Sequence, residues 1–269
     1  MEYEFFNCEI DDSVATVSLL GPSAPRLQEL GDELVDILLR LQEDRAVRVI
    51  LLSDADGSFD ATMGLRTAAE ERAQGEGIKN MAAALDTVRR VVTLIQETGK
   101  PVMAAVSGDV RDAGFGLVMA ADVRMACATA TFTLQDMRHG LLPDWGLTYT
   151  LPRLIGPNRT LELFWSGRSV PAEEAARMGL VDRVVRSDVW DDEVARFARH
   201  LTQIPQPALQ LSKMAVQQSP QFDMTTMLSL EFEAQQQCWD SRETETGLAA
   251  MLDGCEPDFR FVDAGDDDQ

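Results

Sequence analysis

Between Lys100 and Ala126 the run K-P-V-M-A-A-V-S-G-D-V-R-D-A-G-F-G-L-V-M-A-A-D-V-R-M-A joins a buried strand to a short apolar helix and a second strand through a turn of small residues. Gly108, Gly114 and Gly116 lie in that turn, and small residues let a ligand approach backbone N–H groups. A helix that starts there leaves its first N–H groups unpaired and carries partial positive charge, so a carbonyl oxygen that becomes anionic during a reaction would be stabilised. A plain packing junction has the same local pattern, and both readings stay open at this level. Downstream, L-Q-D-M-R-H-G-L-L-P-D-W-G at 134–146 holds two carboxylates and an imidazole. Asp144 follows Pro143 and precedes a helical pattern, where a carboxylate serves either as a proton carrier or as an N-cap. Asp136 can pair with nearby Arg138 on a solvated turn, His139 reads as a loop residue or a further proton carrier, and Trp145 as a pocket wall. Cys8, Cys127, Cys238 and Cys255 lie far apart and only two histidines are present, which argues against zinc and for reduced thiols.

Elements that position these groups follow from periodicity. Glu4 to Ile10 and Val14 to Leu20, separated by Asp11-Asp12-Ser13, predict a β-hairpin. Leu27, Leu30, Leu34, Ile37, Leu38 and Leu41 recur at helical spacing, so a helix is expected over 28–43, followed by a buried strand over 47–53 and a turn at 54–58. An irregular polar segment is expected next. A long helix over 78–97 carries Leu85, Val88, Val92 and Ile95 on one stripe and ends at Gly99-Lys100-Pro101. After a strand at 130–134, helices are expected over 147–154, 159–165, 172–178, 189–203, 208–218 and 224–239. Strands dominate the first half and helices the second, without a strict sequence repeat, which fits an α/β core with right-handed crossovers.

Composition sets the class. With 269 residues, 45% hydrophobic and 26% charged, the chain suits one large globular domain. A formal charge of −21 opposes attraction to nucleic acid or to an anionic membrane. No stretch is apolar enough to span a bilayer, and Met1-Glu2-Tyr3-Glu4 lacks a basic signal region, so a cytoplasmic location is expected. The run from Asp263 to Asp268 is expected to be a solvated tail.

At this point the chain resembles the crotonase superfamily of enoyl-CoA hydratases and isomerases. The resemblance runs from about residue 5 to Phe259 and rests on K-P-V-M-A-A-V-S-G at 100–108, Asp122-Val123-Arg124, L-L-P-D-W-G-L-T-Y-T-L-P-R-L-I-G at 141–156, the run from Ser166 to Val185, and Pro257-Asp258-Phe259. It implies a crotonase-like spiral of ββα units over 1–200, a helical trimerisation region over 201–260 and the acidic tail over 261–269, assembled as a homotrimer or dimer of trimers. It also implies an oxyanion hole of two backbone N–H groups. Met63, in F-D-A-T-M-G-L at 59–65, matches the first donor, and Ala113, in the Asp112-Ala113-Gly114 triplet that replaces three glycines, matches the second. Ala61, Leu65, Gly114 and Trp145 would line the acyl thioester.

Hydratases of the family use two glutamates, and here the matching positions hold Gly116 and Asp136. The family's isomerases commonly place their acid/base where this chain has Asp144. The resemblance therefore implies an enoyl-thioester double-bond isomerase with Asp144 as proton shuttle and Asp136 beside it. A hydratase, decarboxylase or thioester hydrolase of the same fold remains an alternative, as does a catalytically degenerate binding subunit. No cofactor is expected beyond the CoA or phosphopantetheine arm of the substrate. Basic residues for the nucleotide end are sparse: Arg26, with Lys213 and Arg260 late in the chain, while Ser58 stands where a basic residue is usual. An acyl carrier protein is the other expected donor of the acyl group.

Overall fold

A computed structural model describes residues 3–20, 27–55, 57–60, 62–75 and 77–259, without the side chains of 60, 62–64 and 77–80. β1 (Phe6–Asp11) and β2 (Val14–Leu19) form an antiparallel hairpin. Its turn residues Asp12 and Ser13 have φ of 43° and 65°, the left-handed pair that matches the twist of a two-residue hairpin. α1 (Leu27–Glu43) buries the leucine stripe expected of it, and β3 (Val49–Asp54) and β4 (Ser58–Asp60) follow.

The segment expected to be irregular contains a helix, α2 (Thr62–Ala73). It lacks an apolar stripe, which hid it, but Ala68, Ala69, Glu70, Glu71, Arg72 and Ala73 are strong helix formers. α3 (Gly77–Glu97) buries Ala84, Val88, Val91 and Ile95, whereas Leu85 is exposed and Val92 only half-buried. The buried stripe is thus turned by about one residue from expectation. α1 causes this by approaching closely: a Cβ on its Gly31 would lie 2.4 Å from Thr87 Cγ2, so the smaller Ala84–Thr87 face is the one that fits.

The chain continues through β5 (Val102–Val106), β6 (Asp109–Arg111), α4 (Ala113–Ala120), β7 (Val123–Cys127), β8 (Thr131–Thr133), a 3-10 turn at Asp136–His139, α5 (Leu147–Ile155) and α6 (Pro157–Ser166). β9 (Ser169–Pro171), α7 (Ala172–Met178), β10 (Arg183–Val185) and α8 (Trp190–Thr202) complete the core. α9 (Gln206–Gln218), α10 (Met224–Trp239) and α11 (Arg242–Asp253) form the C-terminal helical region. α11 was not anticipated, although Ser241 caps it by accepting from Thr244 N–H at 3.2 Å and Gly254 ends it at φ 69°.

One sheet has the order β1-β2-β3-β5-β7-β10 and a second the order β4-β6-β8-β9. Three times the chain lays a long strand in the first sheet, a short parallel strand in the second, and then a helix. The fold is therefore a spiral of ββα units, repeated in geometry without repetition of sequence. Alternation along the long strands sends Ile50, Leu52, Val102, Ala104 and Ala126 to the core under α1, α3 and α4, and Val49, Leu51, Met103 and Met125 to the core under α8. In the second sheet Phe59, Val110 and Phe132 stand in register and are fully buried. That register brings the three following segments, from residues 62, 112 and 134, out at one end of the sheet.

Candidate active site at the ends of the short strands

The first component is the β6–α4 turn. Asp112 has φ 44° and ψ −112°, a conformation few non-glycine residues adopt, which costs on the order of 1–3 kcal/mol. Three hydrogen bonds hold it there: its N–H donates to Thr133 O at 3.2 Å, its Oδ1 accepts from Gln135 N–H at 2.8 Å, and its O accepts from Gly116 N–H at 3.1 Å. Loss of the family's first glycine therefore leaves the turn intact. Ala113 becomes the first residue of α4, and Gly114 must be glycine because a Cβ there would lie 1.8 Å from Phe59 O. β4 and β6 pair in parallel up to Asp60↔Arg111, so α2 and α4 begin beside one another. Met63 is the second residue of α2, in the first turn whose N–H groups have no partner within the helix. Leu65 is half-buried on α2; Ala61 and Arg26 lie outside the described residues, as do Arg260 and the acidic tail.

The second component is the segment from Asp136 to Gly146. Asp136 opens the 3-10 turn, and burial, reinforced by the charges of Asp112 and Asp144, pushes its carboxyl up to about 7. Burial pushes Asp144 up to about 6, outweighing the hydrogen bond from its own backbone N–H. Both carboxyls sit near neutrality, where proton transfer is most efficient, and the Asp144 charge is one of those that raise Asp136. Asp144 is not the cap of α5; Gly146, at φ 73°, holds that position, and only the Asp144 carbonyl joins the turn, accepting from Leu147 N–H at 2.9 Å. Asp136 is not paired with Arg138, whose guanidinium donates to Ser166 O at 2.8 Å. His139 is exposed.

Trp145 links the two components. It is 3% exposed, has φ 54°, and its ring stands against Gly116 so closely that a Cβ on that glycine would lie 2.3 Å from Trp145 Cβ and Cγ. The indole occupies the space into which any side chain at position 116 would project. Sequence reading found Gly116 and Trp145 separately; their mutual exclusion needed coordinates. Asp112 was also missed as a member of the carboxylate cluster, although an aspartate at a site that suits glycine is itself a signal.

One expectation about basic residues changes. Lys213 does not wait for a phosphate: it pairs with Asp122 at 2.7 Å, donates to Ile95 O and Lys100 O, and is almost fully buried. Ser58 donates to Asp109 O at 3.3 Å. Asp122 fixes a strand start, accepting from Val102 N–H at 2.8 Å. Among the described residues no group of three or more His, Cys, Asp or Glu could hold a metal, and no helix is long and apolar enough to cross a membrane.

The fold matches the solved structure of an enoyl-CoA hydratase/isomerase from Cupriavidus metallidurans at a TM-score of 0.85 and 31% identity over 97% of each chain. The enoyl-CoA hydratase/isomerase family model matches residues 9–261, and the chain belongs to that family. Among relatives, the crotonyl-CoA hydratase of Syntrophomonas wolfei is 29% identical over 96% of this chain and 99% of its own. The 1,2-epoxyphenylacetyl-CoA isomerase of Escherichia coli is 30% identical over 95% of this chain and 98% of its own. Hydration and isomerisation are thus both represented at similar distance.

Proposed function

We propose that the protein is an enoyl-thioester double-bond isomerase in which Asp144 shuttles the proton. The thioester oxygen lies between the N–H groups of Met63 and Ala113. The Asp144 carboxylate removes a C2 proton from a 3-enoyl thioester, the electron pair moves onto the thioester oxygen, and the same carboxyl returns the proton at C4. The product is the 2-enoyl thioester and the carboxylate is regenerated. Stabilised negative charge on oxygen is what makes the C2 proton removable. Asp136 is a neighbouring proton holder whose ionisation Asp144 and Asp112 oppose.

The observation that carries this reading is the Trp145 ring against Gly116. Two-carboxylate hydration needs a second carboxylate to position water, and at position 116 there is neither a side chain nor room for one. The acyl group arrives on CoA or on a carrier protein's phosphopantetheine arm. Exposed Met224, Leu228, Phe232 and Trp239 on α10, with Met251 and Leu252 on α11, support a homotrimer or dimer of trimers built through this region. The test is ¹H NMR of 3-hexenoyl-CoA with wild type and Asp144→Asn. Wild type should move the double bond to C2 and the variant should not; equal turnover by both would remove Asp144 from its role.

A further inference from the structure

Trp145 combines three features that a passive wall does not need. Its indole Nε1 is buried and has no hydrogen-bond partner among the described residues. Its backbone sits at φ 54°, a genuine outlier for a bulky side chain. Its Cδ1, the atom bonded to Nε1, lies 2.8 Å from where a Cβ of residue 116 would be, so the N–H edge is beside α4, the helix that begins at Ala113. An indole N–H only donates, and leaving such a donor unpaired in a buried place is unfavourable. Where hydratases of the family place a carboxylate acceptor, this chain places a fixed donor.

We propose that the Trp145 indole N–H is a specificity-determining donor that recognises an oxygen acceptor on the acyl chain, so the preferred substrate is an oxygenated acyl thioester rather than a plain hydrocarbon one. This deepens the enolate reading and rests on it for the position of the thioester oxygen. Residue 116 is three positions along α4 from Ala113, about 5 Å of helix rise. With the thioester oxygen at the Ala113 N–H, a rise of about 5 Å matches an extended chain from C1 to C5, so the acceptor belongs on the fifth carbon, clear of the C2–C4 carbons that isomerise. The site then discriminates by the unpaired donor: a methylene in the acceptor's place leaves Nε1 buried and unsatisfied, which a hydroxyl or ketone avoids.

The test compares pentanoyl-CoA with 5-hydroxypentanoyl-CoA and 5-oxopentanoyl-CoA by calorimetry, on wild type and Trp145→Phe. Wild type should bind at least one oxygenated thioester roughly tenfold more tightly than pentanoyl-CoA, and Trp145→Phe should lose that preference. In parallel, the wild-type indole ¹H–¹⁵N resonance of Trp145, assigned by substituting Trp165, Trp190 and Trp239 in turn, should shift downfield with the preferred oxygenated ligand and stay near its free position with pentanoyl-CoA. This second readout does not depend on the folding of Trp145→Phe. Equal affinities in wild type, a preference that survives Trp145→Phe, or an indole resonance that ignores the acyl oxygen would overturn the inference. Deuterium exchange at C2 of pentanoyl-CoA, run on the same samples, tests the enolate reading separately. Exchange without an acyl-oxygen preference sinks only the role of Trp145, and the preference without exchange sinks only the isomerase.

Discussion

The β6–α4 turn and the segment leading into α5 face one another across Gly116 and Trp145, yet they contribute opposite things. The turn supplies backbone donors and almost no choice of side chain: Gly114 abuts Phe59 O, Gly116 abuts the indole, and Asp112 is held at φ 44° by its neighbours. The α5 segment supplies titratable groups, Asp136 and Asp144, raised to about 7 and about 6 by burial. On the proposed reading, anion stabilisation tolerates Asp112-Ala113-Gly114 in place of a glycine triplet because it depends on backbone geometry. Proton chemistry depends on which side chain fills one small space, and here an indole fills it.

The division of labour can be broken from the α5 side first. Asp144→Asn should lower C2–deuterium exchange by about 10²–10⁴-fold while leaving thioester binding intact, read by NMR exchange and calorimetry. From the turn side, Gly114→Ala should destabilise the fold by roughly 2–3 kcal/mol in urea denaturation, because the backbone oxygen it meets belongs to a paired strand and cannot retreat. Gly116→Glu should cost roughly 1–3 kcal/mol for the same kind of reason. There the obstacle is a side chain, so Gly116→Glu combined with Trp145→Gly should recover much of the stability, and water addition to 2-enoyl-CoA by the double variant would measure how far the indole alone excludes hydration.

The smallest effect is on stability against pH. Carboxyls raised above their ordinary 3.8 bind protons more tightly when folded, so their contribution is favourable at low pH and is lost as pH rises from about 4 through 6 and 7. Asp136→Asn should therefore be more stable than wild type at pH 8, by about 1 kcal/mol after solvent screening, with the advantage shrinking towards pH 4. An advantage that grew on acidification would contradict the burial of this carboxyl.

Most of the architecture was legible because its signals are local. The hairpin, the leucine stripe of α1, the all-apolar β5 and the helix following Pro143-Asp144-Trp145-Gly146 each follow from spacing within a dozen residues. α2 escaped because it has propensity without amphipathicity, and α11 because its capping serine and terminal glycine were not weighed together. The face that α3 buries was set by close approach to Gly31 of α1, a contact no single-helix pattern contains. The placement of Ala113 at the start of α4, and of Asp136 and Asp144 between β8 and α5, was legible from motif order. Lys213 was misread because its partner Asp122 lies 91 residues away in sequence and is brought to it only by packing. Trp145 against Gly116 is of the same kind: two unremarkable residues that acquire meaning as neighbours.

The most direct measurement follows 3-hexenoyl-CoA in deuterated water with the wild-type protein, scoring double-bond position, deuterium content and oxygen at C3 together. Isomerisation to deuterium-bearing 2-hexenoyl-CoA with little or no 3-hydroxyhexanoyl-CoA is the outcome expected of a site with Asp144 as shuttle and an indole at the second carboxylate's place. Accumulation of 3-hydroxyhexanoyl-CoA at a rate matching or exceeding isomerisation would contradict it.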